Sequence, residues 1–188
     1  DPSAPRFAWS GSAMNARFSG TSLTAKIKDP SGSGNFFEVV IDGKTSVVKT
    51  TASTDTYPLA TGLAPGVHEI FLARRDESFF GEIAFAGFTF DATGALLPPP
   101  IAPDRRIEII GDSITAGYGD EGKDPCKFTA DTENHYLTYE AIAARSLGAD
   151  LVSIAWSGMG MYRDYGGSTT DQMPVRYERT LPERTSSP

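Results

Sequence analysis

A serine directly after Gly-Asp, at the end of an apolar run, is the residue of this sequence whose setting most suggests chemistry. Ile107-Glu108-Ile109-Ile110 reads as a short strand. It stops at Gly111-Asp112-Ser113 and gives way to Gly117 and Gly119. In an open parallel sheet, ligands gather outside the carboxyl ends of the strands, which is where Ser113 falls. Gly111 permits a tight turn there, and Gly117 and Gly119 let backbone approach a ligand closely. A helix starting after the serine would aim its N–H groups and its dipole at a developing oxyanion. The same residues also read as plain structure, with Asp112 or Ser113 capping that helix. The residues alone leave both readings open. The G-x-S-x-G elbow is absent, since Ile114-Thr115 follows the serine. A phosphate-binding P-loop also fails, because no Gly-Lys-Ser/Thr ends the glycine run.

A serine nucleophile needs a base, and the chain has two histidines, His68 and His135. His68 lies in an alternating strand and is read as structural. His135 follows an acidic loop and could act as a general base at a cleft mouth. The other reading makes it a surface or capping histidine beside a helix start. That loop, GDEGKDPCKFTADTE, holds Asp120, Glu121, Asp124, Asp131 and Glu133. It lacks the D-x-[DN]-x-[DN]-G pattern of a calcium loop, so it is read as solvated, and no metal or organic cofactor is implied. Cys126 is the only cysteine. It is either buried and free or bridged to a cysteine elsewhere, and without a nearby base it is a poor nucleophile. Trp156, Met159, Tyr162 and Tyr165 cluster around Gly158. They could form a wall on which sugar rings stack, or pack between two domains.

The elements that must position these residues change character along the chain. Residues 1–95 read as about eight short strands with no helix pattern, which points to a sandwich or jelly roll. Ser22–Lys28 alternates apolar and polar. Phe37–Ile41 runs into Asp42-Gly43, a two-residue hairpin signal, with Ser46–Lys49 returning. Arg6–Trp9, Met14–Phe18, Val67–Leu72 and Ile83–Phe90 complete the set. Residues 96–104, Leu-Leu-Pro-Pro-Pro-Ile-Ala-Pro-Asp, read as a stiff extended linker. Residues 105–188 then open with a strand. Tyr136–Leu147 sets Leu137, Ala141, Ala144 and Leu147 on one side of a helix that stops at Gly148, and Leu151–Ala155 is a second strand. Strand, helix, strand makes the two strands parallel. A helical turn is expected near Met173–Arg179. Two parallel strands and one helix cannot cover both faces of a sheet, so further strands are expected from a second polypeptide or an absent part.

Composition sets wider bounds. The chain has 188 residues, 39% apolar and 22% charged, which is ordinary for a globular protein. A net charge of -7 argues against a nucleic-acid partner, and no apolar run approaches the roughly 20 residues of a membrane span. With no Met at its start and no apolar leader, Asp1 is read as the start of a processed or recombinant product. Strands rich in Ser, Thr and Gly, with few lysines, suit an extracellular protein.

IEIIGDSITAGYG resembles the first block of the SGNH (GDSL-like) hydrolases, and Ser157-Gly158-Met159-Gly160 occupies the place of their second-block glycine. Together with the preceding strands, ENHYLTYEAIAARSLGAD, IAWSGMGMYRDYGG and TTDQMPVRYERTL, the whole chain resembles carbohydrate esterase family two. That resemblance implies a mixed fold. An N-terminal all-β jelly-roll-like sandwich precedes the first part of an SGNH-type α/β/α (flavodoxin-like) hydrolase domain. It implies a secreted acetyl xylan esterase acting on acetylated polysaccharide or oligosaccharide. Ser113 becomes the nucleophile, and its own N–H and that of Gly158 become oxyanion donors. Asp112, Trp156, Met159 and Tyr162 are candidate substrate contacts. The family's catalytic His and the Asn that supplies its third donor lie in later blocks. Asn15, Asn35 and Asn134 are all outside the expected place. A base elsewhere favours the non-catalytic reading of His135. The rival expectation is a carbohydrate-binding protein without catalysis, working through the sandwich.

Overall fold

Alternation in the first half produces two antiparallel sheets that close on each other. In the computed structural model, which describes residues 3–125 and 127–187, the strands are β1 (Arg6–Phe7), β2 (Ala13–Ser19), β3 (Leu23–Lys28), β4 (Phe36–Ile41), β5 (Lys44–Lys49), β6 (Thr56–Ala60), β7 (Val67–Arg74), β8 (Ile83–Phe90) and β9 (Ala95–Leu97). One sheet has the order β1-β8-β3-β6 and the other β5-β4-β7-β2-β9. Leu23, Ala25 and Ile27 of β3 point inward at period two, against Phe18, Phe37, Val39 and Leu72 of the facing sheet. The Asp42-Gly43 hairpin forms as expected, both residues at positive φ.

Two strands went unread in the sequence. β6 contains Pro58, but it is an edge strand, where a missing N–H costs no ladder bond. β9 pairs with β2 and carries Leu96 and Leu97, so the first two residues expected in the linker belong to the sheet. Near Arg74 the alternation of β7 breaks down, with Leu72, Ala73 and Arg74 all buried. The outer face of that sheet is covered here by the second half, where Phe71 packs on Tyr136 with ring centroids 5.7 Å apart.

The second half is built on β10 (Arg105–Gly111) and β11 (Ala149–Ala155), parallel and in register from Arg105↔Ala149 to Gly111↔Ala155. Three helices accompany them, α1 (Ser113–Ala116), α2 (Tyr139–Leu147) and α3 (Met173–Arg176). The expected helix over Tyr136–Leu147 is interrupted. Thr138 caps α2 by accepting from the Ala141 N–H, and His135–Leu137 forms a separate 3-10 turn. Gly148 ends α2 in the left-handed conformation. Ala141 and Ala144 are buried as expected, but Leu137 and Leu147 face solvent. The apolar stripe is therefore covered only at its centre.

Candidate active site

Strand register brings the two candidate loops together. Gly111 and Ala155 are partners at the carboxyl ends of β10 and β11, and the Trp156 N–H donates to the Gly111 carbonyl at 3.2 Å. Asp112 is the cap: its side chain accepts from the Ile114 N–H at 3.1 Å. Ser113 is thereby left as the first residue of α1, half-buried, and among the described residues its hydroxyl makes no hydrogen bond. Beside it, Trp156–Met159 forms a tight turn closed by Met159 N–H to Trp156 carbonyl at 3.2 Å. Gly158 sits in that turn at φ 75°, exposed, and its carbonyl accepts from the Tyr165 N–H at 2.8 Å. A hydroxyl without a partner and an exposed turn amide at adjacent strand ends can attack and stabilise a carbonyl.

The aromatic cluster divides. Trp156 and Met159 pack with Trp9, Ile154 and Met173 at the seam between sandwich and parallel strands. The Trp156 ring lies edge-on to Trp9 and beneath the Arg176 guanidinium, 4.3 Å away. Tyr162 and Tyr165 are exposed. Gly117 does accept a close backbone approach, from Asn134 of this chain, whereas Gly119 has open space around it.

Neither histidine is at the surface. His68 is buried in the sandwich, with Nδ1 2.6 Å from Asp42 and Nε2 2.9 Å from the Ala64 carbonyl. Two acceptors favour the imidazolium and raise its pKa, the Asp42 hydrogen bond first. His135 corrects the expectation of a surface or capping histidine. Its ring lies against Gly11 of the sandwich, with Nε2 3.6 Å from Glu140, and burial lowers its pKa to about 4. The neutral ring packs against Gly11, and among the described residues no hydrogen bond joins it to the Ser113 hydroxyl.

A family model described as carbohydrate esterase 2 N-terminal matches residues 1–100. The chain belongs to carbohydrate esterase family two. It is 44% identical over 184 residues to the cellulase/esterase CelE of Acetivibrio thermocellus, covering 97% of this chain and 22% of that protein. An acetylxylan esterase / glucomannan deacetylase of Cellvibrio japonicus is 32% identical over 171 residues, 88% of this chain and 46% of that one. A solved family two carbohydrate esterase from Clostridium thermocellum, in complex with cellohexaose, matches with TM-score 0.90 at 43% identity, over 97% of this chain and 56% of that one. This chain thus spans about half the length of such relatives, or less.

The seam of this family-two chain also contains residues that the sequence reading passed over. Arg74-Arg75-Asp76-Glu77, four consecutive charges after a strand, would normally be a solvated turn. All four are buried. Arg74 donates to Asp76 at 2.7 Å and to the carbonyls of Glu77 and Gly81. Arg75 pairs with Glu121 and with Glu38, the latter at 3.5 Å, and its Nε donates to the Glu133 carbonyl at 3.3 Å. The acidic loop is therefore not simply solvated: Glu121 is spent on Arg75, and Glu133 is buried beside Glu77. Burial, then the charges of Glu77 and Asp76, push Glu133 up to about 10, so it stays protonated at neutral pH. Among the described residues no group of His, Cys, Asp and Glu is arranged to hold a metal, and Cys126 lies outside them. The signal that could have flagged the four charges is the strand pattern of β7, which runs into them without a turn residue.

Proposed function

We propose that this chain is the amino-terminal portion of a serine esterase that removes O-acetyl groups from xylan or related plant polysaccharides. One observation carries the reading: the unpartnered Ser113 hydroxyl and the exposed Gly158 turn sit at the ends of two adjacent parallel strands. In the proposed reaction, Ser113 Oγ attacks the acetyl carbonyl while a histidine outside these 188 residues takes its proton. The N–H groups of Ser113 and Gly158 stabilise the oxyanion, each such donor typically worth about 10² to 10³ in rate. Collapse breaks the bond to the sugar oxygen, which takes the proton from the histidine and leaves as a hydroxyl, and water then releases acetate from the acyl-enzyme. Asp112, Trp156, Met159 and Tyr162 are the proposed substrate contacts, and the exposed Tyr162 and Tyr165 offer faces for pyranose rings.

The reading places the jelly-roll-like sandwich against an SGNH-type α/β/α domain completed by strands outside this chain. The exposed Ile110, Ile114 and Ile142 around β10 and α2 support it, because a parallel sheet needs cover on both faces. A polymeric substrate also implies that the enzyme acts outside the cell. The test is made on the complete enzyme. A serine-directed phosphonate should add its mass to Ser113, and Ser113→Ala should abolish hydrolysis of an aryl acetate. Undiminished hydrolysis by Ser113→Ala overturns the reading. Polysaccharide binding without labelling or hydrolysis favours a non-catalytic carbohydrate-binding protein instead.

A further inference from the structure

We propose that Glu77, from the loop that follows β7 of the sandwich, is a positioning residue for acyl transfer at Ser113: it holds Ser157 and through it aims the Gly158 N–H. This inference rests on the esterase reading above. The Glu77 carboxylate accepts from two donors of one residue, the Ser157 N–H at 2.5 Å on Oε2 and the Ser157 hydroxyl on Oε1. A carboxylate that takes both the amide and the hydroxyl of Ser157 leaves that residue no freedom to rotate. The peptide that follows it carries the Gly158 N–H. On its far side, the bonds from Tyr165 to the Gly158 carbonyl and from Met159 to the Trp156 carbonyl hold the turn. Both sides of that peptide are clamped, one of them by the sandwich.

Glu77 is itself immobile. It is fully buried, its N–H donates to Glu133 Oε2 at 3.3 Å, and its carbonyl accepts from Arg74 at 2.6 Å. Arg74 is locked in turn by Asp76 and Asn35. Glu133, held neutral beside it, avoids a second negative charge at the seam. A carboxylate suits the task because Ser157 offers two donors, and only an acidic side chain accepts both without donating. An oxyanion donor must sit within a few tenths of an ångström of its target, so a rigid support for its peptide is worth a large part of the donor's effect. The sandwich is on this view a component of the catalytic machinery and not a detachable module.

The test uses the complete enzyme with Ser113 intact, folding being checked by circular dichroism. Glu77→Ala should lower kcat for an aryl acetate by about 30- to 300-fold with KM within about threefold, below the loss of a whole donor. Glu77→Gln, which still accepts from the Ser157 N–H, should restore kcat to within about fivefold of the parent enzyme. Ser157→Ala removes only the hydroxyl bond and should cost about 3- to 10-fold in kcat, which keeps the test open if Glu77→Ala does not fold. Parental kcat in folded Glu77→Ala or in Ser157→Ala, an effect confined to KM, or equal losses in Glu77→Ala and Glu77→Gln would each overturn the inference. If Ser113→Ala is inactive in the same assay, such a result removes the role of Glu77 alone; if Ser113→Ala is active, the esterase reading itself has failed.

Discussion

The sandwich and the parallel strand pair bury their apolar residues with different success. In the sandwich, Phe18, Phe37, Ile27 and Leu72 are completely enclosed, each sheet being the lid of the other. Around β10 and α2, Ile114 is 71% exposed, and Ile110, Ile142 and Leu147 are also open to solvent. Two antiparallel sheets satisfy one face each and need nothing more, whereas parallel strands need cover on both sides. Where the second half is well buried, the sandwich does the covering. Trp9 packs on Ile154 and Met173, and Gly11 lies against His135. The seam is the better-buried part of the second half.

That contrast can be broken or sharpened by substitution. Phe37→Ala should cost about 3–5 kcal/mol in urea unfolding, because it opens a cavity in a closed core. A loss below about 1 kcal/mol would mean that the sandwich is not the rigid partner. At the seam, Gly117→Ala should cost about 2 kcal/mol or more, read as a fall in Tm. An alanine there has φ 88°, and its Cβ would lie 2.6 Å from the Asn134 carbonyl carbon. Unchanged Tm would show that Gly117 is not packed against the Asn134 backbone as described.

The buried Glu133 makes a prediction in pH. Folded protein keeps its proton up to about pH 10, while the unfolded chain releases it near the ordinary 4.5. Its contribution is therefore fully present below pH 4.5 and is lost as pH rises toward 10, by up to about 1 kcal/mol per pH unit. Glu133→Gln keeps the neutral shape without the titration, so its Tm should gain on the parent protein between about pH 6 and 9. Parallel Tm profiles would mean that Glu133 is ionised in the fold. The smallest effect belongs to the open face, where Ile142→Ala in this chain should change stability by no more than about 0.5 kcal/mol. A loss like that of Phe37→Ala would erase the difference between the two halves.

Much of the fold was legible because it rests on local periodicity. Leu23–Lys28 alternates, Phe37–Ile41 runs into Asp42-Gly43, which accepts positive φ, and the spacing of β10, α2 and β11 dictates a parallel pair. Ser113 was legible from its place just beyond a short apolar strand, whereas Gly158 was legible only through the resemblance to the family's second block. The proline of β6 hid an edge strand, and the prolines after Leu97 hid β9. Leu137 and Leu147 share a helical stripe in the sequence but find no partner surface.

By itself, then, the sequence determined which serine stands at a strand end, the antiparallel and parallel character of the two halves, and most of the segments that become strands, though not β6 and β9. These depend on side-chain period and turn chemistry within a few residues. Only the tertiary structure decided the state of the charged and titratable groups: His135 neutral beneath Gly11, Glu133 protonated, and Arg74-Arg75-Asp76-Glu77 turned inward, with Glu77 accepting from Ser157. Desolvation is a property of where two surfaces meet, and no local pattern in either segment encodes that meeting.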